Sequence, residues 1–568
     1  MTAAPILPAT LRWLVRPPLH QDTGLTGHVV VVVAFRVGCA LCREALTEVA
    51  RATAPFAGQA LAVVALHVPI EPGEHDVARV LRELDGLPCA AAIDAGREWL
   101  RAQDVRSLPH LALLGVDGQQ VWSGTGVPFR RRLHDAIDAL LHAARRDGRA
   151  ATVPWLPLRA ATNGLRPTAL AAVGDELWLA SAGQRRVFAL DGAGRVLRSF
   201  GSGRAGQADG SAAQAEFVQP AALLALGEHV LVADAGAHTV RAVDRQSGDV
   251  ATWCGNGQRG LDRQGGGYAR DQSLCGPRAL CQHDGGVVMA MALGRQLWQF
   301  DPGTRAAVAW CGSGERACSD GEAAAFVEPC ALAIDGETLF VADAAAGAIR
   351  ALDLAHGRLS TRWRGLQRPS ALCLHDEQLF VADRWQGAVL RGRLHDNGPA
   401  PFLGREHGLV EPVALTMFGG RLWIADAGAD ALFVADLSGA VPQVQRIDID
   451  AVVAPAAIDA RHFAVLAGAL HLREHADVPL RIPVSTFARD GELCTIDVLD
   501  EGAPLLACAR NVSVAALAGH VEVLLPIGQA GGGAFRLRMR SGTAQRQFVV
   551  PVYVDADGRE AAALSLEA

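Results

Sequence analysis

The stretch Pro329-Cys330-Ala331-Leu332, followed by Leu339-Phe340-Val341-Ala342-Asp343, decides how the central part of this chain folds. The same pattern, Pro-x-Ala-Leu, begins six segments, whose prolines are Pro167, Pro220, Pro277, Pro329, Pro369 and Pro412. Fourteen residues after each proline, one position closes a second apolar run, and its six occupants are Ser181, Asp234, Met291, Asp343, Asp383 and Asp426. This constant register identifies an internal repeat.

The repeats are about 40 to 57 residues apart, which leaves room for four short strands in each. Helical solenoids would instead show periodic apolar helices, so the pattern predicts a six-bladed β-propeller over residues 151–440. Its longest loops, 201–219, 254–276 and 312–328, are expected on one face. After this region the repeat register is lost but alternating apolar strands persist, which predicts a β-sandwich at 441–568.

Two features of the repeats imitate functional sites. Recurring aspartates could suggest metal ligands, but one aspartate per blade at a strand end is typical of carboxylates that accept hydrogen bonds from backbone amides. The segments 201–206 and 255–260 match the dinucleotide fingerprint G-x-G-x-x-G, yet neither lies in a βαβ unit, so we interpret them as turn glycines. We therefore predict no metal site and no cofactor.

Residues 1–150 have the pattern of an α/β domain. The run 29–35 is continuously apolar and β-branched, as in a strand buried on both faces. Helix formers dominate 40–54, and Asp117-Gly118 between two apolar segments indicates a hairpin. The other predicted elements are a strand at 61–68 and helices at 75–84 and 129–146.

The segment Gly38-Cys39-Ala40-Leu41-Cys42 follows the first strand and opens the helix. Unpaired N–H groups and the helix dipole stabilise a thiolate at such a position, so Cys39 is the expected nucleophile. Cys42 lies one helical turn further on, from which it can attack a mixed disulfide at Cys39. Half of a zinc site is the alternative, but residues 1–150 contain no second pair with zinc-ligand spacing.

A thiol site that acts on proteins also needs a surface for an extended partner. Pro109 precedes an apolar strand and is a candidate for a turn with a cis-proline. We expect Pro109, together with Leu108 and Phe35, to bind the substrate.

The order of strand, CxxC, helix and then Val105-Arg106-Ser107-Leu108-Pro109 resembles thioredoxin-like proteins of the redoxin type, in which such a proline is cis and faces the thiols. With the propeller included, essentially the whole chain is similar to the thioredoxin-domain NHL-repeat-containing proteins, because segments that end in Val-Ala-Asp resemble NHL repeats. The resemblance implies a multidomain α/β and all-β fold. A thioredoxin-like domain (1–150) would precede the propeller (151–440) and the C-terminal β domain (441–568).

The same resemblance implies thiol–disulfide exchange that contributes to cell redox homeostasis. Val33, however, stands where thioredoxins place a buried carboxylate, and Gly38 replaces an aromatic residue. A peroxiredoxin would need Thr or Ser at Arg36 and Pro at Val32. The expected function is a thiol–disulfide oxidoreductase whose propeller recognises a protein partner. The alternatives are a non-enzymatic propeller scaffold with a degenerate redoxin domain, and a thiol peroxidase.

Composition limits the partners. The net charge is -7 and all 53 basic residues are arginine, so Schiff-base lysines and a Walker lysine are excluded. No basic run favours nucleic acid, and no apolar run reaches the roughly 20 residues that span a bilayer. We expect protein thiols or disulfides as substrates, a protein or peptide partner on the propeller, no nucleic acid or membrane partner, and a cytoplasmic location.

Overall fold

The chain forms two compact units. One comprises residues 1–161 and 457–568, and the other comprises residues 162–456. The computed structural model describes residues 7–8, 11–15, 25–56, 58–84, 87–151, 164–321, 323–439 and 441–449, and between 464 and 565 the backbone of strands alone.

Six strands of the first unit form one mixed sheet in the order β1-β4-β3-β2-β5-β6. They are β1 (Arg12–Val15), β2 (Val29–Phe35), β3 (Leu61–His67), β4 (Ala90–Ile93), β5 (His110–Leu114) and β6 (Gln120–Thr125). Strand β2 is parallel to β3 and antiparallel to β5. Every residue of β2 is buried, as its unbroken apolar run predicts for a central strand.

Four helices belong to the same part of the chain, namely α1 (Ala40–Thr53), α2 (Val77–Glu83), α3 (Glu98–Ala102) and α4 (Arg130–Arg146). The predicted strand at 29–35, the hairpin of β5 and β6, and the helix at 40–54 are confirmed. Sequence analysis missed β1, β4 and α3. Each has only four or five residues, which is too short for a periodic pattern to stand out.

The second unit is a six-bladed β-propeller. Each blade is an antiparallel sheet whose four main strands follow one another in sequence from the inner to the outer edge. The inner strands of consecutive blades are neighbours, and the inner strand of blade 6 lies beside that of blade 1, which closes the ring. The predicted number of blades is confirmed.

Every inner strand begins at a proline of the repeat. Blade 1 contains β7 (Pro167–Val173), β8 (Glu176–Ser181), β9 (Arg186–Leu190) and β10 (Val196–Phe200). Blade 2 contains β11 (Pro220–Leu226), β12 (His229–Asp234), β13 (Thr239–Asp244) and β14 (Val250–Cys254). Blade 3 contains β15 (Gly265–Tyr268), β16 (Pro277–His283), β17 (Gly286–Met291), β18 (Gln296–Phe300) and β19 (Ala306–Cys311), with β15 as an additional outer strand.

The last three blades follow the same plan. Blade 4 contains β20 (Pro329–Asp335), β21 (Thr338–Asp343), β22 (Ala348–Asp353) and β23 (Arg358–Trp363). Blade 5 contains β24 (Pro369–His375), β25 (Gln378–Asp383), β26 (Ala388–Arg393) and β27 (Ala400–Leu403). Blade 6 contains β28 (Pro412–Phe418), β29 (Arg421–Asp426), β30 (Ala431–Asp436) and β31 (Gln443–Ile447). Strand β31 lies beyond residue 440, the predicted end of the propeller, because the repeat motif marks only the inner strands.

Hydrophobic clusters fill the spaces between adjacent blades, one for each of the six junctions. The cluster between blades 1 and 6 includes Phe188, Trp423 and Leu432, all fully buried. Burial of apolar side chains at every junction therefore holds the ring together.

The C-terminal segment of the first unit contributes strands in two sheets. They are β32 (Ala464–Val465), β33 (Leu470–Arg473), β34 (Asp477–Pro483), β35 (Leu493–Glu501), β36 (Arg510–Ala515), β37 (His520–Pro526), β38 (Gly531–Ser541), β39 (Ala544–Asp555) and β40 (Leu564–Ser565). Strands β37, β34 and β40 form one sheet, and the others form the second. The β-sandwich at 441–568 stays a prediction.

Candidate functional site

Cys39 and Cys42 lie at the N-terminus of α1, directly after the turn that ends β2. Cys39 is the N-cap residue, and its Sγ accepts a hydrogen bond from the backbone N–H of Cys42 at 3.2 Å. The backbone N–H of Arg36 donates to Cys42 Sγ at 3.5 Å. Gly38 has φ +72°, a left-handed conformation that favours glycine and so gives a structural reason for the missing aromatic residue. Both sulfurs thus receive an N–H donor.

The two sulfurs differ in exposure. Cys39 is partly exposed, whereas Cys42 has no exposed surface, and no disulfide joins them. Burial, and then the hydrogen bond and charge of Cys39, raise the pKa of the Cys42 thiol well above its usual range. The arrangement pairs one accessible sulfur with one buried thiol that stays protonated near neutral pH.

Pro109 immediately precedes β5, the strand that pairs with β2. The Leu108–Pro109 peptide bond is cis. Leu108 is partly buried and packs against the core of the sheet, and Pro109 is buried. Phe35 is fully buried, with its ring 5.3 Å from the His67 ring. Of the three residues predicted to bind substrate, Leu108 is therefore the most exposed.

A partly buried ion pair lies beside the cysteines. Arg36 Nε donates to Glu74 Oε1 at 2.8 Å, and the Glu74 side chain has no exposed surface. The ring nitrogens of His67 lie 3.3 Å from the Phe35 carbonyl oxygen and 2.9 Å from the Glu74 carbonyl oxygen. Sequence analysis missed this group because Arg36 and Glu74 are 38 residues apart and no motif joins them.

In the propeller, four strand-end aspartates each bind two consecutive backbone N–H groups. Asp234 accepts from Val218 at 2.8 Å and from Gln219 at 2.6 Å. The other three carboxylates repeat this geometry, Asp343 with Val327 and Glu328, Asp383 with Gln367 and Arg368, and Asp426 with Val410 and Glu411. All four are fully buried, and their predicted structural role is confirmed.

Blade 1 has Ser181 at this position, and its acceptor comes from blade 6. Asp430 accepts hydrogen bonds from the backbone N–H groups of Leu165 at 3.1 Å and Arg166 at 2.6 Å, just before the first inner strand. The carboxylate missing from blade 1 is thus supplied by the neighbouring blade.

Blade 3 has Met291 at the same position, and blade 2 supplies its acceptor. His238 Nδ1 accepts from the backbone N–H of Gly276 at 3.2 Å. His238 and Asp430 each lie four residues after the strand-end aspartate of their own blade. A polar residue at that position, in the blade before one that lacks the aspartate, is the sequence signal that could have found both contacts.

Within the part of the chain that the structure describes, no group of three or more His, Cys, Asp or Glu side chains could hold a metal ion. Among the same residues, none of the helices combines the length and the apolar character needed to cross a lipid bilayer.

The chain is similar to three curated proteins. It is 25% identical over 379 residues to SUPPRESSOR OF QUENCHING 1, a chloroplastic protein of Arabidopsis thaliana, with 63% of this chain and 36% of the relative covered. It is 25% identical over 395 residues to NHL repeat-containing protein 2 of Bos taurus, and 24% identical over 400 residues to that of Homo sapiens. Both alignments cover 62% of this chain and 54% of the relative. The chain therefore spans between about a third and about a half of the length of these relatives.

Comparison with solved structures matches a streptogramin B lyase, with 10% identity and a TM-score of 0.36 over 50% of this chain and 84% of that one. The RRP9 WD40 repeats have 12% identity and a TM-score of 0.34 over 51% of this chain and 82% of theirs. No protein-family model matches the chain. The chain has a six-bladed β-propeller, and its sequence is similar to those of NHL repeat-containing proteins.

Proposed function

We propose that this chain is a thiol–disulfide oxidoreductase whose first 150 residues form a thioredoxin-like domain. The observation that carries the proposal is the pairing of a partly exposed Cys39 at a helix N-terminus with a fully buried Cys42 one turn further on. The hydrogen bond that the backbone N–H of Cys42 donates to Cys39 Sγ favours the thiolate of the nucleophile.

In the reducing direction, the Cys39 thiolate attacks one sulfur of a partner disulfide. The partner's S–S bond breaks, a mixed disulfide with Cys39 forms, and the other partner sulfur leaves and takes up a proton. Cys42 then loses its proton to water and attacks Cys39 Sγ, which releases the second partner thiol and leaves a Cys39–Cys42 disulfide. Two electrons pass to the partner, and a dithiol reductant restores the cysteines. The reverse sequence would oxidise a partner dithiol.

The propeller would recognise the protein partner. Two of its long loops are held by buried arginines, since Arg241 Nη1 donates to the Glu216 carbonyl oxygen at 2.8 Å and Arg350 Nη1 to that of Ala325 at 3.0 Å. Leu261, before β15, and Tyr268, the last residue of β15, are 74% and 61% exposed. Fixed loops and exposed apolar side chains suit contact with a protein surface.

Turnover of a model peptide disulfide by the full chain, with dithiothreitol as reductant, tests the redox part. Cys39→Ser should abolish turnover, and Cys42→Ala should accumulate a mixed disulfide. Cys89→Ser is the matched control, because Cys89 is a buried thiol of the same region outside the motif. A Cys39→Ser variant that keeps the wild-type rate would exclude the proposal.

A non-enzymatic scaffold is the second candidate, and Val33 favours it. This residue is fully buried in β2 opposite Ala65 and Leu111, so no carboxylate occupies the position that serves proton transfer in thioredoxins. For a scaffold, Cys42→Ala would trap no partner, whereas Leu261→Ala with Tyr268→Ala would still reduce partner binding. Consumption of hydrogen peroxide that depends on Cys39 would instead indicate a thiol peroxidase.

A further inference from the structure

Arg36 connects the buried cysteine to a segment that follows β3. It is the first residue after β2, and its backbone N–H donates to Cys42 Sγ at 3.5 Å. Its side chain extends the other way, where Nη2 donates to Glu71 Oε1 at 2.8 Å and Nε to Glu74 Oε1 at 2.8 Å. The position of the N–H donor to Cys42 is therefore tied to the residues that hold the guanidinium.

Glu74 is the buried member of this group. Its side chain has no exposed surface, whereas that of Glu71 is 55% exposed. Glu74 Oε1 accepts from two nitrogens of Arg36, and its Oε2 accepts from the backbone N–H of Ile70 at 2.6 Å. A buried carboxylate with three N–H donors fixes the guanidinium in one place.

His67 also connects the end of β2 with the segment around Glu74. It lies in β3 directly opposite Phe35 in the parallel register, and Phe35 is one position before Arg36. The buried ring lies between the carbonyl oxygens of Phe35 and Glu74. The end of β2 and the segment around Glu74 are thus joined by a ring on one side and an ion pair on the other.

We propose that Arg36 and Glu74 form a positioning pair, which holds the Arg36 N–H against Cys42 Sγ and so sets how fast Cys42 resolves the mixed disulfide. The inference rests on the proposed thiol–disulfide exchange. An N–H donor stabilises the thiolate that must form before Cys42 can attack, and burial of this sulfur strengthens the interaction.

The groups around Cys42 shift the pKa of its thiol in opposite directions. Burial, Cys39 and the carboxylate of Glu83 raise the pKa of Cys42, whereas the Arg36 N–H lowers it. Glu83 is itself paired with Arg43, the neighbour of Cys42, at 2.7 Å. Loss of Glu74 and loss of the Glu83 charge should therefore shift the reactivity of Cys42 in opposite directions, a contrast that a purely structural role would not produce.

The experiment follows the second step alone. A mixed disulfide between Cys39 and thionitrobenzoate is formed in the full chain, and release of the second thionitrobenzoate reports the attack by Cys42, with Cys42→Ala giving the background from other cysteines. Glu74→Gln should slow this step about tenfold at neutral pH and move its pH profile up by about one unit. Glu83→Gln should move the profile down. Glu48→Gln, which breaks the Arg51–Glu48 pair on α1, is the matched control and should change neither.

Arg36→Gln covers the case in which Glu74→Gln fails to fold, because the Arg36 side chain is partly exposed. Circular dichroism checks the fold of each variant. Folded Glu74→Gln or Arg36→Gln with the rate and pH profile of Glu48→Gln would overturn the inference. The ¹³Cβ shift of Cys42 in a Cys39→Ser background reports its titration without turnover. Absence of turnover in the wild type rejects the proposed function, whereas an unmoved titration in Glu74→Gln rejects only the positioning pair.

Discussion

Asp430 accepts a hydrogen bond from the backbone N–H of Leu165, 265 residues earlier in the chain. With the neighbouring bond to Arg166, this contact joins blade 6 to blade 1. Asp430→Ala leaves both N–H groups without this acceptor, so we expect the free energy of unfolding of the propeller to fall by about 1 to 2 kcal/mol. Chemical denaturation measures the loss. Asp436→Ala removes a carboxylate that accepts from Ser438 within the same blade and should cost about 0.5 kcal/mol or less. If both variants lose the same free energy of unfolding, Asp430 does not stabilise the junction of blades 6 and 1 more than an ordinary surface carboxylate would.

Ser181→Asp should have opposite effects in two backgrounds. In the wild-type chain it places a second carboxylate at N–H groups that Asp430 already binds, so like charges repel and stability falls. In the Asp430→Ala background it supplies the missing acceptor in the way Asp234 does in blade 2, and stability rises. A double-mutant cycle on the unfolding free energy measures the coupling. The same sign in both backgrounds would show that the two positions do not serve the same donors.

Gly38→Ala should change thiol reactivity as well as stability. An alanine with the φ of +72° found at Gly38 is strained by about 1 kcal/mol or more. Relief of this strain would move the backbone of the turn and with it the side chain of Cys39. Gly148→Ala is the control, because Gly148 has φ +66° after α4 and open space around an added Cβ. Both variants should lose similar unfolding free energy, but only Gly38→Ala should change the alkylation rate of Cys39 by iodoacetamide. If Cys39 is alkylated at the same rate in both variants, the turn at Gly38 does not control the reactivity of Cys39.

Alkaline pH should destabilise the propeller through its buried thiols. Burial raises the pKa to about 12 for Cys254 and Cys330, and to about 11 for Cys281, Cys311 and Cys373. In the unfolded chain these thiols have a pKa of about 8.5. The folded state therefore holds their protons more tightly. Their contribution to stability is complete below about pH 8.5 and is lost as pH rises through about 11 to 12.

Denaturation midpoints measured under reducing conditions between about pH 8 and 10.5 test this expectation. The chain contains no lysine and only two tyrosines, so the seven cysteines not named above are the main other side chains that titrate in this window. The midpoint should fall with pH, and it should fall less in a variant that carries Cys254→Ala and Cys330→Ala. A pH dependence that this double variant leaves unchanged would assign the effect to other groups.

Sequence patterns predicted the parts of the molecule that short-range order determines. The apolar run of β2, the cysteines at the start of α1 and the recurring aspartates at the strand ends could all be recognised in windows of a few residues. Contacts that join distant positions could not be recognised in such windows, because the partner of Asp430 emerges only when its position is compared across all six repeats. Likewise, the chemistry of Arg36 depends on Glu74, whose burial follows from the way β2 and β3 are placed in the sheet.

Each blade of the propeller consists of strands contiguous in sequence, and the sheets of blades 1 and 6 share no strand within residues 164–449. The chain enters this ring at Leu165, beside Asp430, and its last strand ends at Ile447, whose side chain packs against Gly194 of blade 1. Both ends thus meet at one junction. A pulling force applied to the two ends would therefore load this junction directly. Asp430 and the apolar side chains between blades 1 and 6 are the contacts that resist such a force.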